Sequence, residues 1–412
     1  MLDRGAPASS ARTLRLMALI GYDEALALLS AGIEPLEGET IALAQAQGRV
    51  LAAPVTARIS FPAGDASAMD GIAVRDADVT PGTAVRLIGT SYAGQPFSGT
   101  LGSGEGVRIF TGALLPDGAD RVIMQEHVRF EDDLAHVGEG YGPGWHVRRA
   151  GEDFGKGDLL LPAGCLMGTG QLLCAAGGDV GEIMAVRRPR VRILATGSEL
   201  VEPGEAAAHA ATIPDSVSPA IAALVCNWGG EVVDRTRLPD DLPALAAWAG
   251  EALADADVIV VTGGASVGAR DFAQAMFADA PLEPVFSKVA IKPGKPVWIA
   301  RSGKTRIVGL PGNPSSALVT ARLFLAPLLA ALGGRPMAVA LDWQDRKVEA
   351  DPRQDGDREV FLIAETVGGT VRPVSRQNSG GQSQWALANC LLRSARSRQD
   401  SDGTWKVPCL PF

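Results

Sequence analysis

Val191-Arg192-Ile193-Leu194-Ala195 leads into Thr196-Gly197-Ser198-Glu199. Asp257-Val258-Ile259-Val260-Val261 leads into Thr262-Gly263-Gly264-Ala265-Ser266-Val267-Gly268, and Arg306-Ile307-Val308-Gly309-Leu310 leads into Pro311-Gly312-Asn313-Pro314-Ser315-Ser316. Each is a short apolar run without alternation, closed by a turn rich in Gly or Pro. Such runs are strands covered on both faces. Between them lie amphipathic patterns over 216–228 and 242–254, a short one near Phe272, and a long apolar one over 315–334, with EVVDRTRL (231–238) as a further strand. Strand followed by helix, repeated, predicts a parallel sheet with helices on both sides, a three-layer α/β domain over 189–334.

Outward from that domain the pattern changes twice. A helix is expected from Tyr22 to a stop at Gly32, after about 20 residues that read as a tail. From 57 to 144 the chain is punctuated by Gly and Pro, and its runs AVRLIGT, GEGVRIF and DRVIMQEHVRF have strand character, so an inserted β-rich domain is expected there. Residues 20–56 and 145–188, the latter with a helical stretch over 169–176, form the two halves of a discontinuous N-terminal domain of mixed structure. Beyond 335 short runs and turns return, predicting a small C-terminal β domain, barrel-like, over 335–412.

The chain has 412 residues, too many for one core, and its 46% hydrophobic and 21% charged residues are those of a globular protein. With 38 basic against 47 acidic residues the net charge is −9, which argues against coating nucleic acid or an anionic membrane. An anionic ligand must therefore meet a local site. The five Cys, at 165, 174, 226, 390 and 409, show no ligand spacing and are expected as reduced thiols in a cytoplasmic protein. No targeting or membrane-spanning segment is read: the apolar run at 16–22 stops at Asp23-Glu24, and the one from Ala317 is broken by Arg322 and Pro327.

Ligands of open α/β sheets bind beyond the carboxyl ends of the strands, so the three loops are where chemistry is expected. Their candidate ligand-binding residues are Thr196, Gly197, Gly263, Gly264, Ser266, Gly312, Asn313, Pro314 and Ser315. Gly pairs admit close approach of backbone N–H groups to an anion, and the last loop opens a helix. None ends in the Gly-Lys-Ser/Thr of a P-loop. Glu199, Asp215 and Asp271 belong to the same sheet edge and are the hard oxygen donors that Mg²⁺ bound to a phosphate requires, while Asp215 and Asp271 also stand where helix N-caps stand. Lys292 and Lys295 sit on the rigid turn Ile291-Lys292-Pro293-Gly294-Lys295-Pro296, suited to one anion or simply solvated. The four His carry no metal spacing.

In this order the motifs SAMDGIAVR (67–75), TGALLPDGADRVIMQE (111–126), RRAGED (148–153), TGSEL (196–200), VTGGASVGARD (261–271), AIKPGKP (290–296) and GLPGNPSSA (309–317) resemble the molybdopterin molybdenumtransferase family, the MoeA and gephyrin E-domain group. Ser379-Gly380 and 383–389 resemble its last motif. The resemblance runs from about Tyr22 to Leu392. It implies that the α/β domain binds molybdopterin, and that molybdate is moved onto the dithiolene of adenylylated molybdopterin, with Mg²⁺, releasing AMP. It places the acidic active-site positions on Asp65, Asp153, Glu199, Asp215 and Asp271, with Thr111, Lys292 and Lys295 beside them.

The same resemblance implies a two-fold homodimer in which Asp65 and the Thr111 loop reach the α/β site of the partner subunit. The candidate protein partners it implies are a molybdopterin adenylyltransferase and an apo-molybdoenzyme. Five positions depart from the family pattern: Ala66 replaces an Asn, Leu114 a Pro and Ser198 an Asp, and Pro214 and Ser216 flank Asp215 with altered neighbours. These departures leave an alternative open, a paralogue that binds molybdopterin or the finished cofactor as a carrier or chaperone.

Overall fold

The computed structural model describes residues 19–263, 272–354 and 356–412. Most of the expected N-terminal tail, and Gly264, Ser266 and Asp271 of the second loop, lie outside the described residues. The described chain divides into two units, Thr40–Ala185 and the remainder.

The larger unit holds a six-stranded sheet of β1 (Arg190–Thr196), β2 (Glu231–Leu238), β3 (Val258–Thr262), β4 (Glu283–Phe286), β5 (Trp298–Ser302) and β6 (Thr305–Leu310), in the order β2-β1-β3-β6-β5-β4. β2, β1, β3 and β6 run parallel. β5 runs antiparallel to both of its neighbours, β6 and β4, so the expectation of a parallel sheet is corrected to a mixed one. The reason is local: Ser302 pairs with Thr305, leaving Gly303-Lys304 as a two-residue hairpin that returns the chain beside itself.

Alternate residues of one strand serve opposite layers, which is why the strands show no polar alternation. Val258, Val260 and Val308 pack with Ile221 and Val225 of α2 (Val217–Asn227) and with α4 (Pro314–Leu332). Ile259, Val261 and Ile307 face the other way, onto Leu245, Ala249 and Ala252 of α3 (Leu242–Asp255). The length and apolarity of α4 would suffice to cross a bilayer, and here it is a buried core helix containing one π turn, Ala321–Leu325.

α1 (Tyr22–Ser30), together with the residues through Glu39, belongs to this core, whereas the sequence reading grouped all of 20–56 with 145–188. Its stripe of Tyr22, Ala25 and Leu29 needs an apolar partner, and Tyr22, 1% exposed, sets its ring against Phe324 at 5.6 Å and Phe361 at 4.9 Å.

Phe361 comes from the C-terminal strands: β7 (Gln344–Val348), β8 (Glu359–Val367), β9 (Thr370–Pro373), β10 (Cys390–Arg393) and β11 (Trp405–Pro411). Their order β8-β9-β7-β11-β10 closes through pairing of β10 with β8, giving a small barrel filled by Val360, Leu362, Val371, Leu392 and Val407. The alternate residues Phe361, Ile363, Leu391 and Leu410 point outward into the α/β core. The barrel packs on the α/β layers through these residues.

In the other unit, a six-stranded sheet orders Arg121–Met124, Gly71–Val74, Glu105–Ile109, Ala84–Ser91, Leu134–Val137 and Val128–Glu131 over a core of Ile72, Val85, Ile123 and Val137. A second cluster, with Leu51, Val55, Met167 and Ile183, packs beside the helix Thr169–Gly177.

Candidate functional site

The carboxyl ends of β1, β3 and β6 bring three of the sequence-selected loops into contact. Thr196 is buried and its hydroxyl donates to the Thr262 carbonyl at 3.4 Å. Gly263 has φ +92°, and a Cβ there would lie 2.5 Å from the Thr196 carbonyl oxygen; a Cβ on Gly312 would meet the Gly263 Cα at 3.4 Å. Only glycine permits that conformation and approach at 263. Thr196, Gly263 and Gly312 thus form one surface, with Gly197 and Asn313 beside them in the chain.

Beside this surface a cavity of about 450 Å³ is lined by Lys292, Lys295 and Arg358 together with Asn313, Gln377 and Asn378, and no carboxylate is among its described lining residues. The lysine turn is fixed twice. Ile291 and Lys292 pair in parallel with Glu359 and Val360 of β8, and Gly294 packs against the Thr320 side chain so closely that a Cβ would sit 2.2 Å from Cγ2. Three cations facing one space without an acid favour an oxyanion. Arg358 was not among the sequence candidates; it enters from the barrel, and no local motif marks it.

Ser315 does not face this space. It is 0% exposed, its hydroxyl donates to the Gly381 carbonyl at 2.6 Å, and it accepts from Gln384 Nε2 and Trp385 Nε1, each at 2.8 Å. The hydroxyl that the sequence reading offered to a ligand has its hydrogen-bonding capacity used inside the protein, tying the start of α4 to the 381–385 segment. Pro314 occupies the first helical position of α4 and Asn313 its N-cap without a side-chain capping bond.

Glu199 and Asp215 flank a two-residue parallel ladder, Leu200 with Ile213 and Val201 with Pro214. Glu199 precedes one strand and Asp215 follows the other, so their Cα atoms are offset by three residues, roughly 10 Å of strand rise. Glu199 is exposed, and its carboxylate lies over Gly197. Asp215 is 2% exposed and caps α2: Oδ1 accepts the Ser218 N–H at 3.0 Å, and Oδ2 accepts the Ser218 hydroxyl. Arg235 continues the network, donating to Ser218 Oγ at 3.2 Å and to Glu202 at 2.9 Å. Among the described residues no three His, Cys, Asp or Glu side chains gather to hold a metal ion.

In the smaller unit, three motifs distant in sequence are stitched together. Gly112 donates to the Ser67 carbonyl at 2.8 Å and Leu115 to that of Asp65 at 2.8 Å, while Gly151 and Asp153 donate to Pro62 and Phe61 at 2.9 and 3.1 Å. Asp65 accepts the Ala150 N–H at 3.0 Å and Arg149 Nη1 at 2.5 Å, and these two partners hold its carboxyl below the usual carboxylate range. Thr111 is held by Asp70 through its N–H at 2.7 Å and its hydroxyl at 2.8 Å, which likewise lowers the Asp70 pKa. Asp153 is exposed on the same loop as Arg149. Asp70 was not singled out from the sequence, although it lies inside the SAMDGIAVR motif.

The departures from the family pattern are accommodated locally. Ala66 and Leu114 form a β-bridge, and the Ser198 hydroxyl accepts the Asp240 N–H at 3.4 Å.

Residues 20–178 match the family model described as MoeA N-terminal region (domain I and II), and residues 192–331 match the one described as probable molybdopterin binding domain. The chain is 35% identical over 389 residues to the molybdopterin molybdenumtransferase of Haemophilus influenzae, covering 92% of this chain and 95% of that one. It is 34% identical over 342 residues to that of Nostoc sp., covering 79% and 76% of the two chains. Its structure resembles that of the molybdopterin biosynthesis moeA protein of Pyrococcus horikoshii with a TM-score of 0.77 at 26% identity, over 96% of this chain and 99% of that one. By sequence, by fold and by the loops that converge at the sheet edge, the chain belongs to the molybdopterin molybdenumtransferase family, a family of transferases.

Proposed function

We propose that the chain inserts molybdate into adenylylated molybdopterin in a Mg²⁺-dependent reaction that releases AMP and yields molybdenum cofactor, acting as a cytoplasmic homodimer. The observation that carries this reading is the cavity of Lys292, Lys295 and Arg358 beside the Thr196, Gly263 and Gly312 surface. Molybdate is a dianion and must approach a pterin that already bears phosphate. Fixed cations offset that repulsion and the charge that shifts as the phosphoanhydride is cleaved. In a two-fold dimer, the patch of Asp65, Asp70, Thr111, Arg149 and Asp153 would face the α/β site of the partner subunit.

Mg²⁺ takes one or two carboxylates, with phosphate oxygens and water completing its shell. Glu199, exposed and with no side-chain hydrogen bond among the described residues, fits as one such donor, and Asp271 is the sequence candidate for a second. Asp215 fits less well as a direct ligand, since both of its oxygens are taken by Ser218. When bound, the ion supplies charge neutralisation at the phosphates.

That commitment of Asp215 favours a second reading, a protein that retains molybdopterin or the cofactor without turnover. Equilibrium dialysis of molybdate tests the anion site shared by both: Lys292→Gln and Lys295→Gln should each weaken binding at least tenfold. Unchanged binding in both variants contradicts the assignment of the cavity. AMP release then separates transferase from carrier.

A further inference from the structure

We propose that Cys390 and Cys409, on the strands that close the C-terminal barrel, form a dithiol that hydrogen peroxide oxidises to a disulfide. Neither thiol takes part in the reaction proposed above.

The strand register makes the pair. In the antiparallel ladder of β10 and β11, Cys390 lies opposite Pro411 and Leu392 opposite Cys409, so the two cysteines are diagonal neighbours. Leu391 and Leu410, paired between them, face the α/β core. Side chains alternate along a strand, so both cysteines point the other way, into the barrel, where they pack with Val360, Leu362 and Val407. They are 1% and 2% exposed.

The surroundings of Cys390 make it the nucleophile. The Cys409 thiol donates to its sulfur and the Thr366 hydroxyl donates from 3.6 Å, and with Arg346 nearby these hold the Cys390 thiol down to about 7. Cys409, whose proton is engaged in that bond, is pushed up. Much of Cys390 is therefore thiolate at neutral pH, the form that attacks a peroxide. Thr366 is exposed and stands beside the Gly368-Gly369 hairpin of β8 and β9, so the sulfur it touches lies one side chain below the surface. A molecule little larger than water can reach it there.

The Cys390 thiolate attacks one peroxide oxygen: an S–O bond forms, the O–O bond breaks and hydroxide leaves, taking up the Cys409 proton to become water. The Cys409 thiolate then attacks the sulfenic sulfur. An S–S bond forms, the S–O bond breaks, and the departing hydroxide takes the sulfenic acid's place in water on protonation by solvent, which regains the proton that Cys390 gave up. In total two thiols lose two electrons and two protons, and one peroxide becomes two waters. Diagonal neighbours have Cβ atoms somewhat less than about 7–8 Å apart, whereas a relaxed disulfide takes about 3.5–4.5 Å. The strands must shift as the bond forms, and a disulfide under such strain is readily reduced, so glutathione reverses the modification.

The test treats the reduced full chain with a small molar excess of hydrogen peroxide, quenches by alkylation in denaturant and maps the cysteine peptides by mass. A cross-linked Cys390–Cys409 peptide is expected in wild type and in a Cys165→Ser/Cys174→Ser/Cys226→Ser variant, whose replaced thiols are all partly or fully exposed, and glutathione should remove it. In Cys409→Ser, dimedone should trap a sulfenic acid at Cys390. In Thr366→Val at pH 6, where the thiolate is the minor form, oxidation should slow at least about twofold, the lower end of what one hydrogen bond contributes. Cys390 and Cys409 both still reduced in wild type after the exposed Cys226 is fully oxidised overturns the proposal, as does a disulfide from Cys390 to any other cysteine. Oxidation of Cys409 at the wild-type rate in Cys390→Ser overturns the choice of nucleophile.

Discussion

Asp70 holds Thr111 across 41 positions of sequence, its Oδ1 accepting both the backbone N–H and the hydroxyl. Thr111 is exposed, so this pair orders a surface loop rather than a core. Asp70→Ala should lower kcat/KM at least tenfold through misplacement of that loop, with Tm moved by no more than a few degrees. Asp70→Asn keeps the accepting oxygen and should retain most activity. Equal losses in both variants would show that the charge, and not the positioning, matters.

Asp65, like Asp70, contributes to the pH dependence of the same patch. Its carboxyl lies below the ordinary range in the folded protein, owing to the Ala150 N–H and the Arg149 guanidinium. The stability it contributes is present above the unfolded carboxylate pKa of about 3.9 and is lost as pH falls through the lower folded value. Thermal melts from pH 6 down to pH 3 should show a shallower acid decline for Asp65→Asn than for wild type. Parallel curves would remove Asp65 from the acid response.

Asp215→Ala deletes a buried cap and strands the Ser218 hydroxyl. A loss of about 1–2 kcal/mol is expected in denaturant melts. Asp215→Asn can still accept the Ser218 N–H and should cost less. The sequence-based expectation for Asp271→Asn is the opposite balance, slowed turnover at unchanged Tm, because neutralising a ligand removes charge and no packing. A fully active Asp271→Asn protein would retire its catalytic role.

Gly263→Ala places a methyl 2.5 Å from the Thr196 carbonyl at φ +92°. The left-handed conformation alone costs about 1–2 kcal/mol, and the contact adds to it. Reduced Tm together with loss of molybdopterin binding is expected, and a variant with wild-type Tm would show that the loops do not touch in solution.

What was legible in the sequence was what local pattern encodes. Continuous apolar runs announced β1, β3 and β6 because both of their faces are buried, and the glycines after them announced a close approach that Gly263 and Gly312 make. The hairpin at Gly303-Lys304 was missed because Val297 to Ala300, only four apolar residues between the lysine turn and the polar run Arg301 to Arg306, does not stand out as a strand of its own. The destination of Ser315 was illegible for another reason: its partners Gly381, Gln384 and Trp385 lie 66 to 70 positions away and arrive only when the barrel packs. Arg358 is hidden in the same way. Tyr22 shows the limit of drawing boundaries from composition, since its helix is near 31–56 in sequence but finds its apolar partner in Phe324 and Phe361.

Whether the chain is a transferase is measured by incubating it, purified, with adenylylated molybdopterin, molybdate and Mg²⁺ and following AMP release and transfer of active cofactor to an apo-molybdoenzyme. AMP and cofactor are expected in equal amounts, with both abolished in a Lys292→Gln/Lys295→Gln double variant that keeps the wild-type Tm. Tight retention of the nucleotide with neither product would contradict the transferase reading and establish the carrier reading.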